Sequence, residues 1–135
     1  MVEATSKYTS KLITMGTRKR EYFAIAPMVD VSDKFFRYLM RRLSKKAFLY
    51  TEMINENAVL HSPDKLKGRL LDFTPCQHPV VFQLGGNDPF KMGQAAKIIQ
   101  DWGYDEVNIN CGCPSPKTSA GYFGAVLMNE PRLVA

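Results

Sequence analysis

The sequence predicts an α/β fold made of consecutive βα units, the first four of a (β/α)8 or TIM barrel. Three observations predict it. Short apolar runs begin about 25–30 residues apart with helix-like stretches between them, the rhythm of a parallel sheet. The turn after the first run reads Ala26-Pro27-Met28-Val29-Asp30, where a doubly wound sheet would usually carry a glycine-rich phosphate fingerprint. Polar residues gather at the C-terminal ends of the runs, the rim at which barrels build their sites.

The elements follow in order. Tyr22–Ala26 is the first strand, stopped by Pro27. Ser32 is placed to cap a helix in which Phe35, Phe36, Leu39, Met40 and Leu43 form the apolar stripe, with Lys34, Arg37, Arg41, Arg42 and Lys45 opposite. Phe48–Met53 is the second strand and Glu56–Leu60 a short helix. Residues 61–79, with Pro63, Gly68, Pro75 and Pro79, read as an irregular excursion. Val80–Leu84 is the third strand. Asp88 then caps a helix with Pro89 at its first position, Met92, Ala95, Ala96 and Ile99 on its buried stripe and Gly103 as its stop. Asp105–Asn110 is the fourth strand, a Gly/Pro-rich loop follows, and Pro131 opens a further helix.

Composition narrows the classes. Hydrophobic residues make up 45% and charged residues 23% of 135, which suits a folded domain. No apolar run is long enough to cross a membrane as a helix. The net charge of +5 is uneven: residues 1–60 hold 11 Lys/Arg against 6 Asp/Glu, and residues 61–135 hold 7 against 7. A basic front half favours a polyanion such as RNA, and a solvated cationic surface is the plainer alternative. Residues 1–20 read as a disordered tail, and residues 21–135 as the N-terminal half of a barrel domain. The start lacks the apolar core of a secretory signal, and Cys76, Cys111 and Cys113 do not pair evenly. Free thiols in a reducing compartment are therefore expected: the cytoplasm, with an organelle left open.

The rim carries the chemistry. On the fourth strand Glu106, Asn108 and Asn110 share one face and Val107 and Ile109 the other. Gln83 interrupts an apolar third strand, Thr51-Glu52 ends the second, and Asp30 follows the first. Buried amides are costly unless paired, so this set is expected either to be satisfied internally or to hold a ligand. A flavin edge suits a carboxamide that donates and accepts at once. Cys113, between Gly112 and Pro114, is placed at the mouth as a proton donor with a near-normal pKa. Cys111 is read as its neighbour. A zinc site from Cys76, His78, Cys111 and Cys113 is disfavoured, because structural zinc pairs are commonly two to four residues apart and His78 lies at the opposite end of a strand. No metal is expected.

These residues also resemble a known family. Ala26-Pro27-Met28, Leu49-Tyr50-Thr51-Glu52-Met53, Gln83-Leu84-Gly85-Gly86, Asn110-Cys111-Gly112-Cys113-Pro114-Ser115, Gly121-Tyr122-Phe123-Gly124-Ala125 and Leu127-Met128 occur in the order seen in tRNA-dihydrouridine synthases. The Tyr-Thr-Glu-Met segment and the Gly-Gly-Asn-Asp-Pro turn look closest to the bacterial A-type subgroup. The resemblance implies FMN as cofactor, NADPH as reductant and tRNA as substrate. It implies reduction of the C5–C6 bond of a flipped-out uridine to 5,6-dihydrouridine. Carried over residue by residue, Cys113 protonates C5, Pro27, Met28 and Val29 form the flavin-contacting turn, Gln83 binds the flavin, and Asn110 contacts the tRNA. The family's later lysine, histidine, phosphate-gripping loops and helical RNA-binding domain have no counterpart up to Ala135, so weak FMN binding by this chain alone is expected. Two alternatives stand beside this reading: an inactive RNA-binding or accessory fragment, and another FMN barrel reducing a free pyrimidine.

Overall fold

The computed structural model describes residues 23–135; the tail expected at residues 1–20, and Tyr22 of the first strand, lie outside them. Four strands lie in one parallel sheet in the order β1-β2-β3-β4, so each crossover joins sequential neighbours, as in a barrel wall. They are β1 (Ala24–Ile25), β2 (Phe48–Asn55), β3 (Val80–Gly85) and β4 (Glu106–Ile109). Between and after them run α1 (Lys34–Leu43), α2 (Glu56–His61), α3 (Asp64–Leu70), α4 (Pro89–Trp102), α5 (Pro116–Ala120) and α6 (Pro131–Val134). The stretch 61–79 is thus more ordered than expected: it holds α3, a 3-10 turn at Pro75–Gln77, and the fully buried Leu71 and Gln77. The loop expected after β4 likewise folds into α5 and a 3-10 turn at Gly124–Asn129.

The core lies between the sheet and α2 and α4. Val80, Phe82 and Leu84 point from β3 onto Ala95 and Ile99 of α4 and Val59 of α2. At one end Tyr104 meets Phe82 edge to face and Phe73 at a tilt of 50°. Burial pushes the Tyr104 hydroxyl up to about 12, and it donates to the Leu71 carbonyl. Helix α4 begins and ends as its sequence dictates. Asp88 accepts from the N–H groups of Phe90 and Lys91, Pro89 stands in the first turn, and Gly103 closes the helix at φ 104°.

Helix α1 departs from expectation twice. Its cap is Asp33, whose Oδ1 accepts from Phe36 N–H at 2.7 Å. Ser32 is instead fully buried and bonds backwards to Met28. The facing also differs in part: Phe36 and Met40 are half-buried and Arg42 and Lys45 exposed, as expected, but other positions are exchanged. Arg37 and Arg41 are buried, whereas Phe35, Leu39 and Leu43 are 77%, 54% and 74% exposed. The reason is hydrogen bonding. Arg37 donates to the carbonyls of Ser32 and Asp72 and to Gln77 Oε1. Arg41 donates to the carbonyls of Ser44, Ala47, Gln77 and Pro79. Two guanidinium forks thus satisfy the loop backbone at the strand entrances, where an apolar stripe would leave buried carbonyls unpaired.

Candidate active site

Register decides what faces the barrel interior. Phe82 and Leu84 of β3 stand opposite Val107 and Ile109 of β4, and these pairs face the helices. Gln83 stands opposite Asn108, and this pair faces the other way. The expected grouping of Glu106, Asn108 and Asn110 therefore holds. Val107 and Ile109 remain 38% and 44% exposed, and they line an apolar cleft of about 340 Å³ with Met92, Ala96, Leu127 and Leu133.

A continuous set of polar contacts runs along the rim. In β2 the pairing to β3 shifts between Tyr50 and Met53, an irregularity of the kind that re-aims side chains near sites. There the buried Thr51 hydroxyl accepts from Gln83 N–H at 3.0 Å, standing in for a ladder carbonyl. Gln83 Nε2 donates to Asn108 Oδ1 at 2.8 Å, and Gln83 Oε1 accepts from Asn110 Nδ2 at 2.9 Å. Asn110 Oδ1 accepts from the N–H groups of Gly112 and Cys113 at 3.1 and 2.9 Å, turning the chain sharply out of β4.

Cys113 is held from its other side as well. Its carbonyl accepts from the Thr118 hydroxyl at 3.0 Å and from Ala125 N–H at 2.9 Å. Ala125 comes this close because Gly124 takes φ +72°; a Cβ on Gly124 would meet that same carbonyl at 2.6 Å. Phe123 wedges between Gly85 and Gly121, where added Cβ atoms would meet its ring at 2.9 and 2.5 Å. The Gly121-Tyr122-Phe123-Gly124 segment therefore braces the cysteine loop against the end of β3.

The Cys113 thiol is half-buried and free. Its pKa lies below the ordinary value, chiefly through the backbone N–H of Ser115, then the Ser115 and Thr118 hydroxyls, with slight burial opposing. The near-normal pKa expected from sequence is thus corrected downward. A thiol among donors gives up its proton more readily and leaves a stabilised thiolate.

The turn after β1 stands across β2 from this network. Met28 N–H donates to Ser32 Oγ at 2.8 Å, and the Ser32 hydroxyl donates back to the Met28 carbonyl at 2.9 Å. Asp30, at φ 63°, donates its N–H to Glu52 Oε1 at 2.5 Å. Pro27, Met28 and Val29 are thereby pinned at the C-terminal end of the sheet, with Met28 38% and Val29 59% exposed. The structure joins Gln83, Asn110 and Cys113 directly and places Pro27–Val29 at the same rim without a direct bond to them. Sequence reasoning missed Ser32 as the lock on Met28, and Ser115, Thr118 and Gly124 as the clamp on Cys113. A Ser-Pro helix start at 115–116 was the available signal for part of that clamp.

At the strand entrances, His78 Nδ1 pairs with Asp105 Oδ2 at 2.7 Å, at the opposite end from Cys113. Among the described residues, no group of three or more His, Cys, Asp or Glu side chains converges, and no helix is long and apolar enough to cross a membrane.

Four parallel βα units in sequential order are the arrangement of a (β/α)8-barrel wall, and Gln83, Asn110 and Cys113 gather at the C-terminal ends of its strands. The chain belongs to the dihydrouridine synthase family, whose model, described as "Dihydrouridine synthase (Dus)", matches residues 24–135. It is 46% identical over its whole length to a tRNA-dihydrouridine(20/20a) synthase of Xanthomonas axonopodis pv. citri, covering 37% of that protein. It is 51% identical over 112 residues, 83% of this chain and 33% of the relative, to the protein of that name from Synechocystis sp.. The match to the one from Escherichia coli O6:H1 is 47% over 113 residues, 84% of this chain and 33% of the relative. The chain thus spans about a third of the length of the curated relatives it matches.

Proposed function

We propose that this chain supplies the proton donor and one flavin edge of a tRNA-dihydrouridine synthase, an FMN-dependent oxidoreductase that uses NADPH and reduces uridine in tRNA to 5,6-dihydrouridine. The observation that carries the reading is the suspension of Cys113 from Asn110, one hydrogen bond away from the Gln83 carboxamide. The relatives' names point to uridines 20 and 20a as the targets. Residues 21–135 are read as the first half of the catalytic barrel, acting in the cytoplasm, where free Cys76, Cys111 and Cys113 persist.

The residues present suit a flavin on two grounds. Gln83 keeps one N–H and one lone pair after bonding to Asn108 and Asn110, a donor and an acceptor side by side for a ring edge. Met28 and Val29 offer exposed apolar surface beside the pinned turn, as a ring face needs. When bound, FMN supplies the hydride. This chain's residues do the rest: Pro27, Met28 and Val29 contact the ring, Gln83 fixes its orientation, and Asn110 turns one remaining Nδ2 hydrogen toward the uridine. Cys113 delivers its proton to C5, and Ser115, chiefly through its backbone N–H, stabilises the thiolate that remains.

The test joins this chain to the C-terminal two-thirds of the Xanthomonas axonopodis relative in one polypeptide. Unmodified tRNA, FMN and NADPH are added, and dihydrouridine is measured by mass spectrometry of the nucleosides. Dihydrouridine is expected, and Cys113→Ala should abolish it while flavin fluorescence stays quenched. Unchanged turnover in Cys113→Ala would remove that residue from the role. Reduction of free uridine with tRNA untouched would favour a barrel acting on small pyrimidines.

A further inference from the structure

The Asn110 side chain is committed at both ends. Two backbone N–H groups, of Gly112 and Cys113, converge on one end, so that end must be the oxygen. The NH2 end then faces Gln83, which forces Gln83 to turn its own oxygen to Asn110 and its NH2 to Asn108. The orientation of three amides thus follows from the turn at the cysteine. Gln83 is only 7% exposed, and a buried amide that loses a partner finds no water to replace it. Thr51 fixes the Gln83 backbone from the other side.

We propose that Asn110 is a positioning residue that couples the Gln83 carboxamide to Cys113, so that a change at the first is felt at the second. The mechanical path is short: Gln83 Oε1 holds Asn110 Nδ2, and Asn110 Oδ1 holds the N–H of Cys113. The thiol that points from that backbone moves with it. The significance for catalysis rests on the reading of Gln83 as the flavin contact and Cys113 as the acid: a ring edge that draws on the Gln83 carboxamide then alters the seat of the proton donor. Asn110 retains one Nδ2 hydrogen, so this role is compatible with a contact to the base.

The test reads Cys113 itself, in the 135-residue chain with neither flavin nor tRNA present. The rate of alkylation by iodoacetamide is followed at each cysteine by peptide fragmentation, with Cys76, exposed at the other end of the sheet, as internal standard. Gln83→Met and Asn110→Ala should each change the Cys113 rate relative to Cys76 by about threefold or more, within the range of coupling between contacting residues. The double variant should match Asn110→Ala alone. Asn110→Ser is the gentler second probe: its short hydroxyl still accepts from the turn but cannot reach Gln83. It should change the Cys113 rate about as Gln83→Met does and lose all further response to Gln83→Met, and it carries the test should Asn110→Ala not fold. A purely structural role would lower thermal midpoints without this pattern. An unchanged Cys113 rate in folded Gln83→Met, or effects of the two substitutions that simply multiply, would overturn the coupling. Coupling without dihydrouridine formation in the joined polypeptide would instead overturn the function and leave the coupling standing.

Discussion

At the scale of single residues, Cys113 owes its character to what surrounds its loop. Asn110 holds its N–H, Thr118 and Ala125 hold its carbonyl, and Ser115, chiefly through its backbone N–H, lowers its pKa. A proton donor is useful only while protonated, so in the role proposed for Cys113 the lowered pKa would set the alkaline limit of the reaction below that of an ordinary thiol. Ser115→Ala removes one hydroxyl donor and should move the thiol upward in pH. Alkylation of Cys113 followed against pH checks this: the profile should shift to higher pH, and the basic limb of tRNA reduction in the joined polypeptide should shift the same way. A shift to lower pH would mean that Ser115 does not stabilise the thiolate.

At the scale of elements, α1 shows how charge overrides an apolar stripe. Arg41 alone serves four backbone carbonyls from the end of α1 to the entrance of β3, and its neighbour Arg42 is exposed. Arg41→Ala strands those acceptors and should cost about 3 kcal/mol or more, as loss of one partner from a buried charged contact does. Arg42→Ala should stay within about 0.5 kcal/mol. Urea midpoints of the two variants compare them directly. The same arginines explain why the stretch after α3 is ordered: Gln77 lies fully buried because Arg37 and Arg41 bind its side chain and its carbonyl.

At the scale of the whole molecule, this chain has open surfaces. Phe35, Leu39 and Leu43 form an exposed apolar row on α1, and β1 and β4 each have one unpaired edge among the described residues. Apolar rows and bare edges of this kind favour association. Leu39→Glu combined with Leu43→Lys should raise the concentration at which the 135-residue chain stays monodisperse in light scattering, with its thermal midpoint unchanged or higher. A lower midpoint would show that the row is packed in solution. Weak flavin binding by the 135-residue chain is expected at the same scale, since Pro27, Met28, Val29 and Gln83 would make only a small part of the contacts a flavin needs.

Much of this was legible along the chain. The strand rhythm set the parallel βα order, Asp88-Pro89 and Gly103 bounded α4, and strand alternation placed Asn108 and Asn110 on one face of β4, though their pairing with Gln83 needed the register. Those features depend on local chemistry and a period of two. Which face of α1 turns inward and how 61–79 folds were decided by tertiary contacts, because loop carbonyls distant in sequence claimed Arg37 and Arg41. The candidate site divides in the same way. Residue type marked Cys113 and Gln83, while their joining through Asn110, and the donors that lower the thiol's pKa, arise only when β3, β4, α5 and the Gly124 turn meet in space.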